Sequence, residues 1–200
     1  MKTFKIVLLF LAIISCERKN EILEIDAEID SKVESLFILE GKSVWIEFES
    51  SFLNYLRENG NLNSEEETLE SIMEFICTVV SHGGIINKVK LTDSSLSVEL
   101  LNHLRKIEFL KNEEFNYNFI FKNYNPIIKK HSNLYNNDTQ EMNDLLIGMG
   151  LKDPKNNDFN LAIISMSICE KITIEDLKRP GLYKSLILLY FGNVLIPDKD

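Results

Sequence analysis

The chain reads as a mainly α protein, a single irregular helical domain of six to eight helices with one short β-hairpin or strand. Three observations carry this reading. Apolar residues recur mostly three and four apart, the period of one helix face. Only one proline, Pro126, precedes residue 154, so little interrupts such faces. The 200 residues are 44 % hydrophobic and 10 % aromatic, enough for a full core and too apolar for wholesale disorder.

The elements follow in order. Ile22, Ile25, Ile29, Val33 and Leu36 line one face of a first helix. Gly41 interrupts, and Ser43 is placed to cap a second helix. Its inner face is Trp45, Phe48, Phe52, Tyr55 and Leu56, and Asn59-Gly60 ends it. Residues 36–48 also fit a hairpin turning at Glu40-Gly41-Lys42; helices are the favoured reading. Ser64 and Glu67 have capping-box spacing, and Glu65 to Glu67 suit the dipole of a first turn. Leu69, Ile72, Met73, Ile76, Cys77 and Val80 then form a stripe that His82-Gly83-Gly84 stops.

Thr92 or Asp93 is expected to cap a helix with Leu96, Leu100, Leu101, Leu104, Ile107 and Leu110 inward. Phe115, Tyr117, Phe119 and Phe121 alternate as in a strand, within an Asn-rich stretch ending at Pro126. Strand, aromatic loop and helix all stay open over 115–121. Thr139 would cap a helix over Met142, Leu145, Leu146 and Met149, closed by Gly150, before a loop from Asp153-Pro154 through Asn157. Asp158 would cap another, with Ala162, Ile163, Met166 and Cys169. Thr173 and Asp176 repeat the capping spacing. Pro180 suits the first turn of a last helix with Tyr183, Leu186, Ile187 and Tyr190. The domain spans residues 22–196, and residues 197–200 are expected to fray.

The N-terminus carries an address. Lys2 and Lys5 precede nine consecutive apolar residues, Ile6 to Ile14. A membrane span needs roughly 20 such residues, so the run fits the core of a secretory signal peptide over residues 1–15. Ile13-Ile14-Ser15-Cys16 resembles the lipobox of bacterial lipoproteins, with Ile13 where the family pattern favours Leu. The resemblance covers residues 1–16 alone. It implies cleavage before Cys16, diacylglycerol (and further acyl, palmitate-like) chains on that residue, and firm membrane attachment. Residues 16–21 become the lipidated Cys and a short charged tether. The expected location is the cell envelope, with the outer membrane preferred over the inner.

The formal net charge of −9 argues against nucleic-acid binding, which requires clustered Lys and Arg. Removing residues 1–15 takes away Lys2 and Lys5 and no acid, leaving 20 bases against 31 acids, a net −11. Such a body attracts a basic partner. The acidic excess lies between Glu17 and Glu70.

Catalytic chemistry is not signalled. No GxSxG, HExxH or Gly-rich phosphate loop is present. No metal and no cofactor is expected. His82 is read as contacting carbonyls at a helix end, and His103 as a polar-face residue beside Asn102. Cys77 and Cys169 are the two thiols left after lipidation of Cys16. They either pair as a disulfide or stay buried as small hydrophobes. Tyr117 and Tyr124 would serve as partner-binding anchors if exposed. The reading is a membrane-anchored, non-enzymatic protein-binding lipoprotein, in profile like a toxin-immunity or assembly factor. The alternative is a periplasmic small-ligand binder or hydrolase whose site is assembled across helices.

Overall fold

The structure, a computed structural model, describes residues 22–59, 68–116, 118–131 and 161–198. The expected signal peptide and tether, the expected Ser64–Glu67 capping box, Tyr117, the helix expected after Thr139, the loop expected to follow it and Asp158 lie outside the described residues. The fold is mainly α. Helix α1 covers residues 22–36. A tight hairpin of β1 (Ile38–Leu39) and β2 (Lys42–Ser43) leads into α2 (Trp45–Glu58) and α3 (Thr68–Ser81). Then come β3 (Val89–Lys90), a 3-10 turn at Leu91–Asp93 and α4 (Val98–Lys106). A second hairpin, β4 (Leu110–Lys111) and β5 (Glu114–Phe115), precedes α5 (Asn118–Lys130). The chain closes with α6 (Leu161–Lys171), a 3-10 turn at Asp176–Lys178, α7 (Pro180–Val194) and β6 (Leu195–Ile196), which pairs in parallel with β3.

Helix α7 is the axis. Its apolar residues run all round, and 13 of its 15 residues are buried, as expected of a helix with no polar face. Two glycines let neighbours reach its backbone. A Cβ at Gly181 would collide with the carbonyl oxygen of Asp26 on α1, and one at Gly192 with the ring of Phe115 on β5. The N-terminus of α7 is capped from outside. Asp26 accepts from the N–H groups of Gly181 (3.1 Å) and Leu182 (2.8 Å), while Arg179 at the N-cap position makes no side-chain cap bond. Pro180 occupies the first turn, where its missing N–H costs nothing.

Aromatic rings knit the other elements to this axis. Phe48 on α2 packs against Phe37 (5.1 Å), Phe109 (5.4 Å) and Phe191 of α7 (5.1 Å). Phe75 on α3 meets Tyr190 edge-on at 5.9 Å. Phe109 meets Phe115 and Phe119 at 5.0 and 5.3 Å.

Several local expectations are corrected. Both readings of 36–48 hold in part, because a two-residue turn fits between two helices. Glu40 and Gly41 have φ of 51° and 78°, the positive pair a tight hairpin turn requires. The cap position of α2 is Val44 rather than Ser43, although Ser43 Oγ accepts from Trp45 N–H at 3.4 Å. Ser97, not Thr92 or Asp93, caps α4, accepting from Leu100 N–H at 3.1 Å. Of the three readings of 115–121, Phe115 ends a strand and the chain turns into α5, which carries Pro126 inside it. On α6 the inner residues are Leu161, Ile164, Ser165 and Ile168, and Met166 faces solvent. The tail is tied down as far as Asp198, which accepts from Thr92 N–H (3.0 Å) and Oγ1 (2.8 Å). The reciprocal Thr173–Asp176 cap forms as expected, with Asp176 Oδ2 accepting from Thr173 N–H at 3.0 Å.

The α1–α7 contact generates a prediction. Gly181→Ala is expected to cost roughly 1–3 kcal/mol by overpacking. Asp26→Ala is expected to cost about 1–2 kcal/mol by removing a cap. Both act on one contact, so the double variant falls short of the sum. Urea unfolding followed by circular dichroism measures all three.

Candidate functional site

Cys16 lies outside the described residues. The other two cysteines meet: Cys77 on α3 and Cys169 on α6 form a disulfide with Cα atoms 5.6 Å apart, within the span a bridge requires. Both thiols fall on the half-buried margins of their helices. Gly84, just past α3, lets Ala162 of α6 approach closely; a Cβ there would lie 3.1 Å from the Ala162 nitrogen. The two helices are thus held at both ends of α6.

Of the two expected aromatic anchors, the described one is placed differently. Tyr124 is fully buried, and its hydroxyl accepts from Ser185 Oγ at 3.0 Å. It is a core residue, not a partner contact, because α5 turns that side toward α7. Burial pushes its hydroxyl pKa well up. Tyr117 is outside the described residues.

The histidines are structural. His82 Nδ1 lies 2.9 Å from the carbonyl oxygen of Thr78 at the end of α3, as expected. His103 is not on a polar face. It is buried, with Nε2 2.7 Å from the carbonyl oxygen of Leu36, and so ties α4 to the end of α1. His131 Nε2 lies 3.1 Å from Glu28 Oε1, and Lys130 Nζ reaches the same oxygen at 2.6 Å. Hydrogen bonds from Lys130 and His131 hold the Glu28 carboxyl below its ordinary value.

Lys184 is the one buried cation of α7. Its ammonium lies 2.7 Å from Asp30 Oδ1, pairs with Glu34, and sits 5.5 Å from the centre of the Trp45 ring. Burial alone would lower its pKa, but hydrogen bonding to Asp30 and Glu34 outweighs this and holds it above the ordinary value. A lysine so held is a cation at neutral pH and neither nucleophile nor base. Among the described residues, no three His, Cys, Asp or Glu side chains are grouped to hold a metal ion. No described helix is long and apolar enough to cross a membrane.

Much of the α1 charge is therefore used internally: Asp26 caps α7, Glu28 holds α5, and Asp30 and Glu34 hold Lys184. Other acids face outward on several elements, Glu24 near the start of α1 among them. Glu40 in the hairpin turn and Glu99 at the start of α4 are exposed. On the same segments three large apolar side chains are exposed, Ile38 (43 %), Ile46 (70 %) and Val98 (68 %). Glu47 Oε1 accepts from Ser97 N–H at 2.8 Å, which brings the start of α2 against the start of α4. Ile46 and Val98 flank that bond in sequence. Ile38 sits on β1, its Cα paired with that of Ser43. Sequence reasoning missed these three. A signal existed for Ile46, which is apolar yet lies off the face set by Trp45, Phe48 and Phe52.

No protein family, curated protein or solved structure matches this chain.

Two predictions follow from this geometry. The disulfide closes a sequence separation of 92, for which chain entropy gives roughly 4–5 kcal/mol as an upper figure. Reduction, or Cys77→Ala with Cys169→Ala, is expected to cost about 2–5 kcal/mol, read as a fall in urea midpoint that dithiothreitol reproduces. For Glu28 the folded pKa is depressed, so its stabilisation is present above its ordinary 4.5 and lost as pH falls through the folded value. The stability gap between wild type and Glu28→Gln is expected at pH 7 and to close below pH 4.5. Urea midpoints across pH measure it.

Proposed function

We propose that this is an envelope lipoprotein, anchored through acyl chains on Cys16, whose body is a non-enzymatic protein-binding module. The address rests on the lipobox-like Ile13-Ile14-Ser15-Cys16. The Cys77–Cys169 disulfide is the chemistry of an oxidising compartment, which is where such an address delivers a chain. The binding reading is carried by one observation, the paired exposure of Ile46 and Val98 at 70 % and 68 % on a surface fixed by the Glu47–Ser97 hydrogen bond. Such a rigid apolar surface suits contact with another protein. A toxin neutraliser and an assembly factor both work this way, from a membrane tether and with an acidic body. The outer membrane is the proposed site.

The tests are direct. Wild-type chain is expected to incorporate radiolabelled palmitate and to sediment with membranes, and Cys16→Ser to do neither. Lipid-free chain beginning at Glu17, used as bait in envelope extract, is expected to recover one protein at near-stoichiometric yield. Co-purification of a small molecule instead would replace the binding-module reading with a ligand-binding one.

A further inference from the structure

We propose that Ile38, Ile46 and Val98 form the docking face for a basic protein segment, one that presents an apolar side chain flanked by Lys or Arg. This rests on the binding-module reading above and adds the surface and the chemistry of the partner. The three residues come from the β1–β2 hairpin, the first turn of α2 and the first turn of α4. These pieces are held together by main-chain and side-chain bonds rather than by the exposed residues themselves. Val44 N–H donates to the Phe37 carbonyl at 2.8 Å, Glu47 accepts from Ser97 N–H at 2.8 Å, and His103 lies 2.7 Å from the Leu36 carbonyl. The exposed side chains can therefore be covered without rebuilding the fold, which keeps the ordering cost of association small.

Charge selects the occupant. Of the acids flanking the three apolar residues in sequence, Glu40 and Glu99 are exposed, whereas Glu47 accepts from Ser97 N–H and Glu49 bonds Tyr183; Lys42 is the exposed cation between them. A basic segment gains from the exposed acids, and the gain appears as faster encounter and correct register. A second copy of the chain would bring Glu40 and Glu99 near their own equivalents, and like charges there are costly. An anionic lipid surface would be repelled for the same reason. Position agrees. The hairpin lies at the C-terminal end of α1, so about 22 Å of helix separates it from the tether. The other exposed large apolar residues, among them Leu23, Ile85 and Ile174, lie on other segments.

The test places a photo-crosslinking benzoylphenylalanine at position 46 of the full chain in its own cells, with mass spectrometry of the adduct. The expected result is one protein adduct whose crosslinked segment carries net positive charge. Its yield should fall about ten-fold in Glu40→Lys with Glu99→Lys, variants checked for native circular dichroism. Glu24→Lys, the same change at the tether end of α1, should leave the yield unaltered. An adduct to lipid, to a second copy or to an acidic segment overturns the proposal, as does a yield indifferent to the two reversals. Capture from position 85 or 174 but not 46 overturns this surface and leaves the binding-module reading standing. No adduct from any of the three positions overturns both.

Discussion

A helix with no exposed face sets the terms for the rest of the molecule. Once α7 is buried on every side, each polar group on it needs a partner inside the protein, because an unanswered one costs about 1–3 kcal/mol. Several surrounding elements supply one. Helix α1 answers Lys184 with Asp30 and Glu34, α5 answers Ser185 with Tyr124, and α6 answers Tyr190 with Ser165 at 2.7 Å. Lys88, just before β3, donates to the Asn193 carbonyl. These bonds also fix height. A neighbour that slides along α7 loses its polar partner and gains nothing, whereas apolar packing alone would tolerate a slip. The polar residues on α7 thus act as register marks in a core otherwise made of Leu, Ile and Phe.

The same logic explains what could be read from the sequence. Faces with strong period were legible: Ile29 and Val33 on α1, or Trp45, Phe48 and Phe52 on α2, lie inside as expected. Stops with a chemical cause were legible too, such as Gly83 and Gly84 at φ of 64° and 88°. The second hairpin was not, because its turn is Asn112-Glu113 rather than a pair containing Gly. Both residues sit at positive φ, 54° and 67°. Arg105 grips the Glu113 carboxylate with bonds of 3.0, 3.1 and 2.7 Å, so a distant side chain secures a conformation the turn does not itself favour. The cap on α7 has the same character: Asp26 is 155 positions from Gly181. Tyr124 and His103 were misplaced for one reason. A polar tip reads as exposed until the partner that buries it is known, and both partners, Ser185 and the Leu36 carbonyl, are remote in sequence.

Charge was the least legible property. Composition marks the first third of the body as acidic, but the fold uses several of those acids internally. Asp26, Asp30 and Glu34 are engaged by α7, and Glu28 by α5. Their negative charge is largely answered at short range, so it contributes little to a field felt by an approaching protein. Glu24, Glu40, Glu58 and Glu70 stay exposed, on different elements. The net charge of the chain is therefore a poor guide to its surface field, and the position of the exposed acids is a better one.

Two regions of the molecule are built on different principles. At one, α6 is fastened by the close approach of Ala162 to Gly84, by the Ser165–Tyr190 hydrogen bond and by the covalent link from Cys169 to Cys77. At the other, the hairpin and the starts of α2 and α4 are joined by hydrogen bonds and by the aromatic cluster around Phe37 and Phe48. A covalent staple placed in the first region lowers the entropy of the whole unfolded chain without touching the second. Stability and surface are thereby separated. The redox state of the cysteines can change how readily the body unfolds, while the residues presented around Ile46 keep the arrangement that Glu47, Ser97 and His103 impose.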